Sequence, residues 1–244
     1  MAGTAAVTHD TLFAGRLTCL QHREGYRFAI DAVLLAHFAL PRPGERVLEL
    51  CAGNGVVSLI MAFRQPQVAF TALELQPRLV GLLRSNVALN HCEERITVVE
   101  GDCRTLGDHV PAGAFDRVVM NPPYRRVESG RQTLGDEAAR ARHELTLTLN
   151  EAVAAMAVAV KNRGRCAVVY PAERLAALIT SLKSQCLEPK RLQTVHGYPG
   201  AGARLVLVEA VKNGGEELAV LPPFFVHQSP GGDYTPEMAA LHAP

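Results

Sequence analysis

The chain has 244 residues, 48% of them hydrophobic, and a formal net charge of +1. It is long enough for one main domain with appendages, and it lacks the global field that draws proteins to polyanions, so any nucleic-acid contact must come from a local patch. No run of ~18 apolar residues and no basic-then-apolar leader occurs, which argues against a helical membrane span and a signal peptide and leads us to expect a cytoplasmic protein.

Residues 1–10 are small and polar and are expected to fray. Residues 15–21 alternate apolar and polar side chains, residues 22–25 (His-Arg-Glu-Gly) carry turn chemistry, and residues 26–28 resume an extended pattern. Together they predict a β-hairpin that precedes the core. Asp31 is a candidate cap for an apolar helix over residues 32–40, which the Pro41-Arg42-Pro43-Gly44 stretch ends.

A strand is predicted at 46–50, followed by Glu49-Leu50-Cys51-Ala52-Gly53-Asn54-Gly55 turning into a helix from Val56. Glycines at such a turn let a ligand approach the backbone, and the helix start offers unsatisfied N–H groups; a tight turn without ligand is the plainer alternative. A second strand at 68–75 ends in Glu74, about 20 residues past the glycines, where a carboxylate can accept both ribose hydroxyls of a nucleoside cofactor. A helix over 78–90 and a strand over 96–100 lead to Gly101-Asp102-Cys103. There Asp102 either accepts a hydrogen bond from the exocyclic amine of an adenine or caps a helix.

Residues 115–120 form an apolar, partly β-branched run that reads as a buried parallel strand, and Asn121-Pro122-Pro123-Tyr124 follows it. Two prolines end the strand and remove backbone donors. The side-chain amide of Asn121 and the carbonyl of Pro122 can then accept both N–H bonds of an NH2 group while Tyr124 stacks on the attached plane. Residues 125–142 show no apolar period and hold five arginines, Arg125, Arg126, Arg131, Arg140 and Arg142, against three acids. This predicts a long functional loop with a local basic surface, or an ordinary solvated one.

Further on, helices are predicted over 145–160 and 173–184 and a strand over 164–170. Strands over 187–196 and 204–212, joined by a glycine-rich loop, are expected to pair antiparallel. A terminal antiparallel pair on an otherwise parallel sheet distinguishes this chain from the usual dinucleotide-binding enzymes, which would also place a glycine where Ser58 stands. The six cysteines (Cys19, Cys51, Cys92, Cys103, Cys166, Cys186) show no ligand spacing, so no metal is expected.

With the turn at 49–55, Glu74 and Asn121-Pro122-Pro123-Tyr124 in this order, the chain resembles the class I S-adenosylmethionine-dependent methyltransferases that act on amino groups. Residues 25–36 (Gly-Tyr-Arg-Phe-Ala-Ile-Asp-Ala-Val-Leu-Leu-Ala) and Ala141-Arg142-His143-Glu144 resemble, more closely, the bacterial enzymes that methylate N6 of an adenine next to the anticodon of valine tRNA; the similarity spans about residues 11–211. The four-residue motif is shared with DNA adenine and release-factor glutamine methyltransferases, so a protein amide or DNA remains an alternative substrate. A SAM-binding scaffold without catalysis is a further alternative, from another class.

The resemblance implies a Rossmann-like α/β fold with a doubly wound, mostly parallel seven-stranded sheet, an antiparallel C-terminal strand and an N-terminal β-hairpin. It implies S-adenosyl-L-methionine as cofactor, S-adenosyl-L-homocysteine as product, tRNA as substrate, no membrane or metal, and a monomer or homodimer. Catalysis would fall to Asn121, Pro122, Pro123 and Tyr124. Cofactor binding would fall to Arg27, Asp31, Glu49, Cys51, Ala52, Gly53, Gly55, Glu74, Leu75, Asp102, Cys103 and Asn121, and substrate binding to Arg125, Arg126, Arg131, Arg142 and His143. The expected division is 1–40 hairpin and helix, 41–212 methyltransferase core and 213–244 an extension without assigned role. One departure stands out: Cys51 occupies a position that the family usually fills with glycine, and the turn is expected to survive it within the φ range a non-glycine tolerates.

Overall fold

The structure, a computed structural model, describes residues 7–23, 29–123 and 147–244. Its centre is built from strands β3 (Arg46–Leu50), β4 (Ala69–Glu74), β5 (Ile96–Glu100), β6 (Phe115–Met120), β7 (Val160–Pro171), β8 (Leu187–His196) and β9 (Ala203–Lys212). They lie side by side in the order β5-β4-β3-β6-β7-β9-β8. β3 through β7 are parallel, and β9 inserts antiparallel between β7 and β8. This is the expected doubly wound sheet with its antiparallel terminal pair.

Helices cover both faces. Along β6 the side chains alternate, so Val119 joins one apolar cluster while Val118 and Met120 join the other. The first cluster packs α1 (Ile30–Phe38), α2 (Val56–Arg64) and α3 (Pro77–Leu89) on the sheet; the second packs α4 (Leu149–Ala159) and α5 (Leu175–Ser184). Because successive strands run outward from β3 through β4 to β5 and the chain then returns to β3's other side with β6, the strand order reverses between β3 and β6. Open α/β sheets bind ligands at the carboxyl ends of the strands beside such a reversal.

The hairpin departs from the sequence expectation. It consists of β1 (Val7–Leu12) and β2 (Leu17–His22), paired from Leu12 with Leu17 out to Val7 with His22, so the turn lies at residues 13–16 and Val7–Asp10 are ordered strand, not frayed terminus. Residues 26–28, expected as the second strand, lie outside the described residues. Burial explains the shift. Phe13 is only 1% exposed, stacks on Phe63 with ring centroids 4.5 Å apart, and carries the Arg64 guanidinium 4.3 Å above its ring. That contact holds Phe13 and Ala14 at positive φ beside Gly15, a local cost that tertiary packing offsets.

The edge of β2 finds an unusual partner in α3. Asn90 accepts from the Thr18 amide (2.9 Å) and donates to the Thr18 carbonyl (2.7 Å), and Asn86 does the same for Leu20 at 2.6 and 3.1 Å. Residues four apart on a helix are about 6 Å apart along its axis, close to the spacing of alternate residues on a strand, so two side-chain amides stand in for a neighbouring strand. Asn86 also donates to the Asn54 carbonyl (2.9 Å), and Asn54 to the Leu20 carbonyl (3.3 Å), which ties the hairpin to the glycine turn.

Two helices start differently from the sequence expectation. α1 begins before Asp31, which sits in its first turn and accepts from the Ala32 amide (2.8 Å) while Ala29 is the N-cap. α4 begins at Leu149 because Thr148 and Glu151 form a reciprocal capping box. The C-terminal stretch adds β10 (Ala219–Val220) and β11 (Phe224–Phe225), both parallel to β8, and α6 (Pro236–His242), whose Met238 is fully buried in the first cluster. Arg64 donates to the carbonyls of Leu241 and Ala243 and so holds the end of α6. No helix of the described residues is long and apolar enough to cross a membrane.

Candidate active site

The loops after β3, β4, β5 and β6 meet at one edge of the sheet. Leu50 pairs with both Leu73 and Met120, and Glu74 pairs with Glu100, so the residues that follow each strand emerge at one level. Cys51 and Asn121 therefore leave adjacent strands side by side. The Ala52 amide donates to the Leu73 carbonyl and the Gly101 amide to the Glu74 carbonyl, both at 3.0 Å, which stitches neighbouring loops together.

The glycine turn is shaped by three residues at positive φ: Cys51 (56°), Gly53 (58°) and Gly55 (82°). Gly55 caps α2, and a Cβ there would lie 2.1 Å from Leu83 Cδ1, so only glycine fits. Cys51 adopts the left-handed conformation that glycine would take freely, so the turn survives the departure at a strain on the order of 1 kcal/mol. Its thiol faces that of Cys103, from the loop after β5. Hydrogen bonding to Cys103, together with burial, holds the Cys51 thiol well above the usual thiol range.

Two carboxylates line this edge. Glu49, 3% exposed, accepts from the Ser58 amide (2.9 Å) and from the Ser58 hydroxyl. Burial raises its pKa to about 7, the Ser58 bonds pull the other way, and the charge of Glu74 adds to the rise. Glu74, 4% exposed, accepts from the Gly53 amide through Oε2 (2.8 Å) and from the Gln76 amide through Oε1 (2.9 Å). Burial raises its pKa too, against those backbone bonds. The Leu75 amide and the Gln76 side chain also act on this carboxylate, so it is held by the chain's own polar groups in place of a cation. Among the described residues neither acid forms an ion pair.

Asp102 takes the capping role of the two open to it. Its Oδ1 accepts from the Arg104 amide (2.9 Å), and its Oδ2 from Arg104 Nε and Nη2 at 2.8 and 2.6 Å. Arg104 holds the Asp102 carboxyl below the usual carboxylate range. An adenine amine would have to share these oxygens with Arg104. Leu75 is half-buried just past β4, Ala52 and Cys103 are buried, and Asn121, Pro122 and Pro123 are half-buried, buried and exposed in turn. Asp31 is half-buried in the first turn of α1, which packs on the same face of the sheet as α2. Arg27, Tyr124, Arg125, Arg126, Arg131, Arg140, Arg142 and His143 lie outside the described residues.

Several residues of the site were not singled out from sequence. Ser58 had one signal, its place in the first turn of the helix after Glu49. Asn86 had another, a polar residue on the apolar side of α3 with Asn90 four residues on. Among the described residues no group of three or more His, Cys, Asp or Glu is placed to hold a metal ion.

The strand order, the antiparallel β9 and the loops gathered at the reversal define a class I methyltransferase fold. The family model described as the TRM5/TYW2 methyltransferase domain matches residues 35–168, and the chain belongs to that family of S-adenosylmethionine-dependent methyltransferases. Among similar proteins is a tRNA1(Val) (adenine(37)-N6)-methyltransferase of Porphyromonas gingivalis, 28% identical over 189 residues, covering 75% of this chain and 73% of that one. Another of the same name, from a Flavobacteriaceae bacterium, is 26% identical over 211 residues, covering 86% and 87%. The crystal structure of a predicted O-methyltransferase from Agrobacterium tumefaciens superposes with a TM-score of 0.71 at 21% identity, covering 87% of this chain and 95% of that one. TYW2 of P. horikoshii in complex with MeSAdo gives 0.60 at 17% identity, covering 87% and 74%.

Proposed function

We propose that this protein transfers a methyl group from S-adenosylmethionine to N6 of an adenine in tRNA, next to the anticodon, and that residues 41–212 carry the reaction. The observation that carries the reading is the placement of Asn121-Pro122-Pro123 at the end of β6, one strand from the glycine turn at the reversal of the sheet. The names of the similar tRNA adenine methyltransferases support the choice of substrate.

The site fits a nucleoside cofactor that bears a positive charge. Glu49 and Glu74 are buried acids without a cationic partner among the described residues, and Gly53 and Gly55 leave backbone open to close approach. In this reading Glu74 holds the ribose, the glycine turn and Glu49 face the charged end, and the half-buried Asp31 and Leu75 close the pocket together with Ala52, Cys51 and Cys103. When bound, the cofactor supplies an activated methyl group with a neutral thioether as leaving group.

The chain's own contribution is positioning and polarisation. The exocyclic nitrogen of adenine is a weak nucleophile because its lone pair is delocalised into the ring. By accepting its N–H bonds at the Asn121 amide oxygen and the Pro122 carbonyl, the turn favours a pyramidal nitrogen with a localised lone pair, an interaction stronger in the transition state than before it. No strong base is required before attack, because the nitrogen becomes acidic on taking the methyl group and then loses one N–H proton to solvent. Tyr124 replaces the stacking lost when the base leaves its RNA, and Arg125, Arg126, Arg131, Arg142 and His143 take the phosphates.

The test is incubation with labelled S-adenosylmethionine and separate pools of tRNA, DNA and release factor. Label should enter tRNA alone and, after digestion, run as N6-methyladenosine; label in protein or DNA would reassign the substrate. Asn121→Ala should lower kcat roughly a hundredfold to a thousandfold with little change in KM or cofactor affinity, as when one oxyanion-hole donor is lost. A wild-type rate in the folded variant would make the turn architectural.

A further inference from the structure

β7 runs parallel to β6 with Val168 opposite Met120, so the residues that follow Val168 climb past the ligand edge beside Asn121 and Pro122. Tyr170 and Pro171 end this strand, and the chain turns through Ala172–Arg174 into α5. α4, which leads into β7 from the other direction, starts at the same edge, so α4 and α5 lie side by side with their first turns near the catalytic turn. Ser181 ties them together by donating to Asn150 Oδ1 at 2.8 Å.

Between these helices lies an open groove of about 660 Å³, lined by Thr148, Asn150, Arg174, Thr180, Ser181 and Ser184 along with small apolar residues. Its polar lining is hydroxyls, one amide and a single charge. Arg174 sits with its guanidinium carbon 5.2 Å above the Tyr170 ring and has no carboxylate partner among the described residues. A stacked guanidinium is pre-organised and keeps its donors turned outward. The neighbouring groove, beside the loop after β5, contrasts with it: Arg104 there is answered by Asp102 and shares the lining with Asp108 and Glu151. Of the two, the groove between α4 and α5 is the one without an acid in its lining.

We propose that this groove receives the ribose-phosphate backbone flanking the methylated base, with Arg174 on a phosphate and the hydroxyls and amide on ribose oxygens. The inference rests on RNA as substrate and adds a second grip, separate from the arginines of residues 125–142. A lone guanidinium amid hydroxyls fits a phosphodiester because Arg donates in a fork that matches two phosphate oxygens. Thr180, Ser181 and Ser184 give their own protons to the Ala176 carbonyl, Asn150 Oδ1 and the Ser181 carbonyl and so accept from a 2′-hydroxyl, while the Asn150 side-chain N–H can donate to one.

The experiment compares wild-type protein with Arg174→Gln and Arg174→Lys, using a valine tRNA transcript. Filter binding over a range of salt gives the slope of affinity against salt, steady-state methylation gives KM and kcat, and calorimetry gives S-adenosylmethionine affinity. Arg174→Gln should raise KM for tRNA about tenfold, lower the salt slope by about one unit, and leave kcat within about twofold and cofactor affinity unchanged. Arg174→Lys should restore most of the slope. If wild-type protein methylates the transcript and Arg174→Gln shows the same KM and slope, the groove is overturned and the substrate reading stands. If Arg174→Gln loses cofactor affinity as well, Arg174 serves the fold and the groove is again overturned. A wild-type protein inactive on tRNA overturns both.

Discussion

Three carboxylates are almost fully buried among the described residues, and they live in opposite electrostatic settings. Glu209, on β9 at the level of Glu49 but three strands away from it in the sheet, is 2% exposed and touches three guanidiniums, Arg117 and Arg165 at 2.7 Å and Arg191 at 3.5 Å. Burial alone would push its pKa up; the bond to Arg117 and the charges of Arg117, Arg165 and Arg191 reverse that and hold it low. Glu49 and Glu74, at the ligand edge, are as buried but receive backbone amides and a serine instead of cations. Their pKa values move up. Where an acid holds strands together the chain supplies the compensating charge itself; at the candidate site it does not, and in the proposed reading the cationic cofactor supplies it.

The largest effect should come from breaking the compensated cluster. Glu209→Gln strands Arg117, itself 4% exposed, with Glu45 as its remaining partner, and should cost roughly 3–5 kcal/mol by urea denaturation at neutral pH while cofactor affinity of the folded protein is kept. A loss under about 1 kcal/mol would show that the cluster is decorative.

Glu49 should give the next effect, with the opposite pH sign. Its folded pKa of about 7 lies above its ordinary 4.5, so its protonated form favours the fold. That contribution is complete below 4.5 and is lost as pH rises through about 7, on the order of 3 kcal/mol in all. Glu49→Gln keeps an acceptor for Ser58 and removes the titration, so its stability between pH 5 and 8 should be flatter than wild type and higher at pH 8. Parallel curves for the two proteins would place the titration elsewhere. Glu209, held low, contributes above the ordinary carboxylate range and loses that contribution as pH falls, so acid unfolding should track it and not Glu49.

The smallest effect sharpens the ligand half of the comparison. Glu74→Ala should weaken S-adenosylmethionine binding about tenfold or more, since a carboxylate accepting hydroxyls forms charge-assisted bonds worth ~1.5–3 kcal/mol. Calorimetry with unchanged affinity would remove Glu74 from the pocket.

The sequence by itself determined the sheet and the order of its loops. Strands at Arg46–Leu50, Ile96–Glu100, Phe115–Met120 and Leu187–His196 lie where their patterns put them: the two central parallel strands among them, Arg46–Leu50 and Phe115–Met120, are buried and carry mostly apolar runs, while Leu187–His196 alternates and pairs antiparallel. It also brought Glu49, the glycines, Glu74, Asp102 and Asn121 to one edge, since in a doubly wound sheet every residue just past a parallel strand arrives there. What only the tertiary structure decided depends on partners distant in the chain. The hairpin turn fell at Phe13 because Phe63 and Arg64 receive that ring. β2 gained a neighbour in the amides of Asn86 and Asn90, contacts 66 and 72 residues away that no local pattern encodes. The charge states of Glu49, Glu74 and Glu209 were set by which groups folding placed around each, whereas Asp102 was settled locally, by Arg104 two residues on. A carboxylate's identity is written in the chain, but its pKa follows from burial and from neighbours that only the closed fold assembles.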